Sequence, residues 1–274
     1  MNDLRQGLKD SGFFTKKSLG QNFIFDKNIL KKIANGSEGV CLEIGPGPGG
    51  LTRELCEVCD KVVAIEIDRD ICKFLDSAMD DKDNFVLVNE DFMKLDFDKL
   101  YKEEIGQPFI VVANLPYYIT TPVLMKILDS GLPVKKIRVL VQKEVAKRIE
   151  SKPGKKDYGV LSVMVQCRAN AKILFDLSPH VFTPAPNVTS SVIEISMLEE
   201  NPIKSPIDNF RKCVRSGFSN RRKQIANNLS TDYNISKDEV YKILESIELR
   251  RDIRAEKLSV QQFDELCYNL ENKA

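Results

Sequence analysis

The chain has 274 residues, 42% hydrophobic and 30% charged, with a formal net charge of +1 at pH 7. This suffices for one large domain and a small one on ordinary hydrophobic cores, and a near-neutral total by itself argues against a polyanion partner. No apolar run approaches the roughly 18 residues that cross a bilayer, and the opening "MNDLRQGLKDSGFF" lacks the apolar core of a signal peptide, so a cytoplasmic location is expected and a membrane partner is not.

The first 20 residues read as a basic, partly ordered arm. Apolar runs of strand length follow at "VCLEI" (40–44), "VVAIEI" (62–67), "FVLV" (85–88), "FIVVAN" (109–114) and "IRVLVQ" (137–142). Because these runs are continuous rather than alternating, they predict strands buried on both faces, as in a parallel sheet covered by helices. Helices are expected at 50–59, 69–78, 120–129 and 143–150, which makes the pattern that of a doubly wound α/β domain. "LSVMVQCRANAKILFDLS" (161–178) and "SSVIEISML" (190–198) read as strands with no helix between them, which predicts an antiparallel addition at one end of the sheet. "EENPIKSP" (199–206) has the prolines and polar residues of a linker. Beyond it the period is helical through "DNFRKCVRSGF", "RRKQIANNL", "SKDEVYKILESI" and "SVQQFDELCYNL", with capping-box patterns at Ser236 with Glu239 and at Ser259 with Gln262. The expected division is an α/β domain over 1–200 and a small all-α domain over 207–274.

The charges are unevenly spread. Residues 41–111 carry 17 acids and 8 bases, residues 135–172 carry 3 acids and 11 bases, and "FRKCVRSGFSNRRKQ" (210–224) has six bases and no acid. A polyanion meeting only the basic stretches would bind by phosphate neutralisation, with Lys143, Lys147 and Arg148 in the first and Arg221, Arg222 and Lys223 in the second as contacts. The seven cysteines are scattered and fit reduced thiols. Cys56 and Cys59 form a lone C-x-x-C; a zinc site wants four ligands and the sole histidine is His180, so the pair reads as helix residues near the core and no metal is expected.

In an open α/β sheet a ligand binds beyond the carboxyl ends of the strands, so the strand-end residues carry the chemistry. The first run ends in "EIGPGPGG", where Gly45, Gly47 and Gly50 have the spacing of a dinucleotide fingerprint. Pro46 and Pro48 speak against that reading, because a pyrophosphate is held by successive backbone N–H groups and proline has none. A cofactor without phosphate, such as S-adenosylmethionine, asks only for close backbone approach, which glycine permits. Glu66, 21 residues after Gly45, is placed to accept both hydroxyls of a ribose, and Asp91 to accept from an adenine amine or else to cap a helix. Asp68 is expected to cap the helix beginning near Arg69, and Glu43 either to orient the loop or to bond within the core.

The fourth run ends in "NLPYYITTP" (114–122). An exocyclic adenine amine is a poor nucleophile, and acceptors for its N–H bonds favour the pyramidal nitrogen that attacks a methyl group. The Asn114 side chain and the Leu115 carbonyl, fixed by Pro116, supply two acceptors, and Tyr117 offers a face for an unstacked base. The amine can lose its proton after transfer, so this chemistry needs no histidine.

With these motifs the sequence resembles the ribosomal RNA adenine N6,N6-dimethyltransferases, in particular the bacterial branch that modifies two adjacent adenines near the 3′ end of 16S rRNA. The resemblance runs from "LGQNFIFD" (19–26) through "LEIGPGPGGLT", "AIEIDRD", "NLPYYITTP", "VQKEVAKRI", "YGVLSVMVQ" and "FTPAPNVTSSV" to "FSNRRKQIANNL" and "RAEKLSVQQF". It implies a Rossmann-like class I S-adenosylmethionine-dependent methyltransferase sheet, mostly parallel with an antiparallel end strand, and a small C-terminal helical domain that binds RNA or the ribosome. It also implies cofactor contacts at Asn22, Ile24, Gly45, Gly47, Glu66, Asp91 and Asn114, and a clamp on the target base made by Tyr117 and Phe182. Leu115 accompanies transfer of two methyls in that family. The implied partner is 16S rRNA in the immature small subunit, met by a monomer.

Two other readings belong beside it. Erm-type 23S rRNA methyltransferases share "QNF" and N-x-P-Y but diverge where this chain has "FSNRRKQ" and "RAEKLS". A ribosome-assembly factor with secondary methylation would keep the same basic stretches. A nicotinamide oxidoreductase fits poorly, since the loop lacks donors and no histidine lies near the strand ends.

Overall fold

The computed structural model describes residues 22–272 together with Leu4 and Gly7, so the arm expected over residues 1–20 lies, those two positions apart, outside the described residues. The chain forms two compact units, one of residues 1–146 and 172–197, the other of residues 147–171 and 198–274.

The chain opens with β1 (Phe23–Ile24), α1 (Lys27–Ala34), β2 (Val40–Ile44), α2 (Gly50–Cys56), β3 (Lys61–Glu66), α3 (Arg69–Ala78) and β4 (Phe85–Asn89). It continues with α4 (Phe97–Leu100), β5 (Phe109–Asn114), α5 (Tyr117–Asp129), β6 (Val134–Gln142), α6 (Lys143–Glu150), α7 (Val160–Gln166) and β7 (Ala169–Leu177). After β8 (Phe182–Thr183) and β9 (Ser190–Met197) come the helices α8 (Ile207–Gly217), α9 (Ile225–Tyr233), α10 (Lys237–Ser246) and α11 (Val260–Glu271).

In the first unit the strands lie in the order β4-β3-β2-β5-β6-β9-β7. β4 to β6 are parallel and β9 runs antiparallel to β6, as the continuous apolar runs and the late strands predict. β2 is buried throughout and β5 up to Asn114, the burial expected of strands covered on both faces. A separate antiparallel ribbon pairs β1 with β8, setting Ile24 against Phe182 and Phe23 against Thr183. Asp26 caps α1 through the N–H groups of Asn28 and Ile29, and Asp68 caps α3 through that of Asp70. Buried Arg138 of β6 donates to the carbonyls of Ile33 (2.5 Å) and Asn35 (2.6 Å) at the end of α1, where a cation suits the helix dipole, and pairs with Glu194 of β9 (2.5 Å). That ties the helix behind β1 to the middle of the sheet.

The sequence reading needs three corrections. The segment expected as strand from 161 is helix α7 up to Gln166, and the strand begins only at Ala169. Its apolar residues are buried around several sides, and Ser162, which accepts from Gly159 N–H and donates to the Arg148 carbonyl, fixes its first turn; a short buried helix and a buried strand share the same apolar run. Residues 147–171, expected in the first domain, pack with the C-terminal helices: Tyr158 is fully buried, its ring 6.3 Å from that of Phe218 and its hydroxyl donating to the Leu258 carbonyl at 3.0 Å. The helix expected from 221 starts at Ile225, leaving Arg221, Arg222 and Lys223 on a turn. Both capping boxes form as expected. Among the described residues no helix is long and apolar enough to cross a membrane.

Candidate active site

At the carboxyl ends of β2 to β5 the first unit encloses a cavity roofed by the β1·β8 ribbon. Every residue assigned to cofactor or catalysis lines it: Asn22, Ile24, Gly45, Gly47, Glu66 and Asp91 from one group, Asn114, Leu115, Pro116, Tyr117 and Phe182 from the other.

The loop "GPGPGG" turns at positive φ at Gly45 (71°) and Gly47 (54°), where a side chain strains the backbone. At Gly47 there is no room either, since an added Cβ would meet the Phe23 ring at 2.7 Å. Gly47→Ala is expected to weaken S-adenosylmethionine binding roughly 10- to 100-fold, the cost of about 1–3 kcal/mol of backbone strain, by calorimetric titration. Glu66 secures the loop from below. Its Oε2 accepts the Gly47 N–H at 3.3 Å and its Oε1 the Asp68 N–H at 2.9 Å, and the residue lines the cavity. Burial raises the Glu66 pKa, and the backbone N–H groups oppose that rise.

Asp91 sits on the turn that follows β4 rather than at the start of a helix. Its Oδ1 accepts the Met93 N–H at 2.9 Å, capping the turn that follows β4, while the residue lines the cavity. Lys126 of α5 braces this turn by donating to the carbonyls of Phe92 (2.7 Å) and Leu95 (2.8 Å); nothing in its sequence context marks that role, which only the packing of α5 beside the turn reveals.

Asn114 Nδ2 donates to the Asn22 carbonyl at 3.2 Å. The amide nitrogen is thus engaged by the residue that precedes β1, and the amide oxygen is the acceptor of this side chain. Pro116 ends the strand, and its carbonyl starts α5 by accepting from the Ile119 N–H and the Thr120 hydroxyl, both at 3.1 Å. Tyr117 is the first residue of α5; burial raises its pKa, and its hydroxyl lies 2.6 Å from Ser190 Oγ. Phe182 is buried in the ribbon, belongs to the apolar core and lines the cavity.

The predicted cations divide. Lys143 is paired with Asp176 at 2.5 Å. Lys147 and Arg148 are exposed on α6. Arg221 donates to the carbonyls of Lys156 and Tyr158, both at 2.8 Å, and lies 3.7 Å from Glu256, so one edge of its guanidinium ties a loop of the second unit. Arg222 and Lys223 are exposed on the same turn. Cys56 and Cys59 are buried.

Residues 12–271 match the family model described as ribosomal RNA adenine dimethylase. The ribosomal RNA small subunit methyltransferase A of Clostridioides difficile (strain 630) is 41% identical over 280 residues, covering 99% of this chain and 96% of that protein. The protein of the same name from Caldanaerobacter subterraneus subsp. tengcongensis is 43% identical over 258 residues, covering 92% and 96%. Among solved structures, a dimethyladenosine transferase from Plasmodium falciparum superposes with a TM-score of 0.78 at 23% identity, covering 92% of this chain and 98% of that one. The 23S rRNA methyltransferase ErmE does so with a TM-score of 0.70 at 24% identity, covering 91% and 100%. These two likenesses bear on the fold, that of a Rossmann-like methyltransferase, while the model match and the closer sequence relatives bear on descent. With a family match across nearly its whole length, the chain belongs to the ribosomal RNA adenine dimethylases.

Proposed function

We propose that this protein transfers methyl groups from S-adenosylmethionine to the N6 atoms of two adjacent adenines near the 3′ end of 16S rRNA, in an immature small ribosomal subunit. The observation that carries the reading is Asn114: its amide nitrogen is bound to the Asn22 carbonyl, which leaves its oxygen as an acceptor in a cavity whose wall includes Tyr117 and Phe182.

S-adenosylmethionine supplies an electrophilic methyl on a sulfonium centre. The cavity fits that molecule in kind: the loop at Gly45 and Gly47 brings backbone close without the donors a pyrophosphate needs, Glu66 would accept ribose hydroxyls, and Asp91, whose Oδ2 lies 3.8 Å from Lys94, would accept the adenine amine. The target adenine, taken out of its stack, rests between Tyr117 and Phe182. Asn114 Oδ1 and the Leu115 carbonyl accept its two N–H bonds, which draws the nitrogen toward pyramidal geometry and aims its lone pair in line at the methyl. Bound there, S-adenosylmethionine would give up its methyl to this nitrogen, with its sulfur as the leaving group, and the nitrogen would release its proton to water afterwards. A second cycle at the same nitrogen completes the dimethyl product.

The RNA backbone meets the exposed cations Lys147, Arg148, Arg222 and Lys223. Replacing Arg222 and Lys223 together by alanine is expected to weaken subunit binding and to lower the slope of log affinity against log salt by roughly 1 to 2, measured by filter binding at graded salt. The reaction itself is tested by incubating undermethylated small subunits with the protein and labelled cofactor. Mass spectrometry is expected to find dimethyladenine at the two 16S positions. Label in 23S rRNA instead, with macrolide resistance on expression, would move the target to the other subunit.

A further inference from the structure

Tyr117 has a ring in the cavity wall and a hydroxyl that reaches out of it, 2.6 Å from Ser190 Oγ. Ser190 opens β9 and is fully buried. A buried hydroxyl is costly unless it is hydrogen-bonded, and the side chain that meets this one is Tyr117. The topology explains why a serine of β9 comes so close to the site. β9 runs against β6, so its first residue pairs with Gln142, the last of β6, at the carboxyl edge of the parallel strands.

The backbone around Ser190 is held on both sides. The Lys143 N–H donates to the Thr189 carbonyl at 3.0 Å. Ser191 donates to Asp176 Oδ1 at 2.6 Å, and Lys143 Nζ pairs with the other oxygen of that carboxylate at 2.5 Å. Ser190 is therefore a fixed point on the sheet, whereas Tyr117 is a ring on two rotatable bonds beside open space. The hydroxyl lies on the axis of the outer rotation, so a hydrogen bond there restrains the rotation about Cα–Cβ and with it the place of the ring.

We infer that Ser190 is a positioning residue for the methyl transfer, whose hydroxyl holds the Tyr117 ring at the place where the target adenine stacks on it. The inference rests on the reaction proposed above. Ser190 touches neither the base nor the cofactor; it acts through Tyr117, on whether the amine comes into line with the methyl. A neutral hydrogen bond of this kind corresponds to roughly a three- to tenfold effect on rate.

The test is a double-mutant cycle of wild type, Ser190→Ala, Tyr117→Phe and the double variant. Single-turnover methylation of undermethylated subunits gives the rate, and calorimetry gives the cofactor Kd. Tyr117→Phe keeps the stacking ring and removes only the hydroxyl. Each single variant is expected to be roughly three- to tenfold slower with Kd within about twofold of wild type, and the double no slower than the slower single, because both remove the same bond. A wild-type rate in either single variant, or effects that multiply in the double, would overturn the inference. A merely structural role would slow Ser190→Ala in parallel with a lower Tm while leaving Tyr117→Phe at the wild-type rate, which also overturns it. Should Ser190→Ala not fold, Tyr117→Phe against wild type decides alone. If wild type itself transfers no methyl to adenine, it is the reaction that has been misread and not the role of Ser190.

Discussion

Asn114→Ala is expected to lower the single-turnover rate of adenine methylation by about 10²- to 10³-fold, the loss seen when one preorganised partner of a transition state is removed. The side chain has two duties. Its nitrogen ties the strand tip to the Asn22 carbonyl, and in the proposed reaction its oxygen accepts from the amine. Asn114→Asp separates them: it keeps acceptors toward the amine but sets an oxygen against the Asn22 carbonyl, so β1 loses its tether. Alanine, which removes both groups, is therefore expected to lower the rate and the cofactor affinity together, and aspartate mainly the cofactor affinity. Thermal unfolding of both should stay near wild type, because Asn114 is only partly buried at the cavity. Rates from quenched time courses and Kd from calorimetry check this, and an Asn114→Ala enzyme within tenfold of wild type would remove the residue from the reaction.

Glu43→Gln is expected to stabilise the protein at alkaline pH and to do little at pH 5. Glu43 lies inside β2, 1% exposed, with Oε2 lacking a hydrogen-bond partner. Burial raises its pKa from 4.5 to about 8; the Thr52 hydroxyl opposes the rise, and Glu66 and Cys59 add to it. The native state thus holds a proton that the unfolded chain releases at lower pH. Between about pH 4.5 and 8 the unfolded state binds fewer protons, so stability falls as pH rises through that window and is level on either side. Glutamine keeps the shape and stays neutral. The stability gap between variant and wild type, from urea denaturation at a series of pH values, should grow from near zero at pH 5 to several kcal/mol at roughly pH 8.5. A gap that does not change with pH would mean that Glu43 is ionised in the native state throughout.

Much of the site was readable because the strand ends of a parallel sheet converge. Once "VCLEI", "VVAIEI", "FVLV" and "FIVVAN" are taken as neighbouring strands, Gly45, Glu66, Asp91 and Asn114 must come to one edge, whatever the helices do. The same logic failed for contacts made by pairs of residues far apart in the chain and unremarkable alone. Ser190 and Lys126 carry no local signal, since a serine opening a strand and a lysine within a helix are ordinary there. They matter because β9 inserts beside β6 and because α5 packs near the turn after β4. The second unit misled for a related reason: "YGVLSVMVQ" is apolar enough for either state, and only its burial against the C-terminal helices makes it helix α7.

The sequence by itself determined the strand and helix alternation, the glycine loop whose prolines lack the donors of a pyrophosphate site, the place of "NLPY" at a strand end and the helix caps at Asp68, Ser236 and Ser259. These depend on residue type and on neighbours within a few positions, where backbone sterics and hydrogen-bond inventory act. The tertiary structure decided which partner engages the amide nitrogen of Asn114, which cations are committed to Asp176 or to backbone carbonyls, and which serine meets the Tyr117 hydroxyl. It also decided to which unit residues 147–171 belong. Each of these depends on distances between segments that the chain brings together only when the sheet closes and its buried polar groups must find partners.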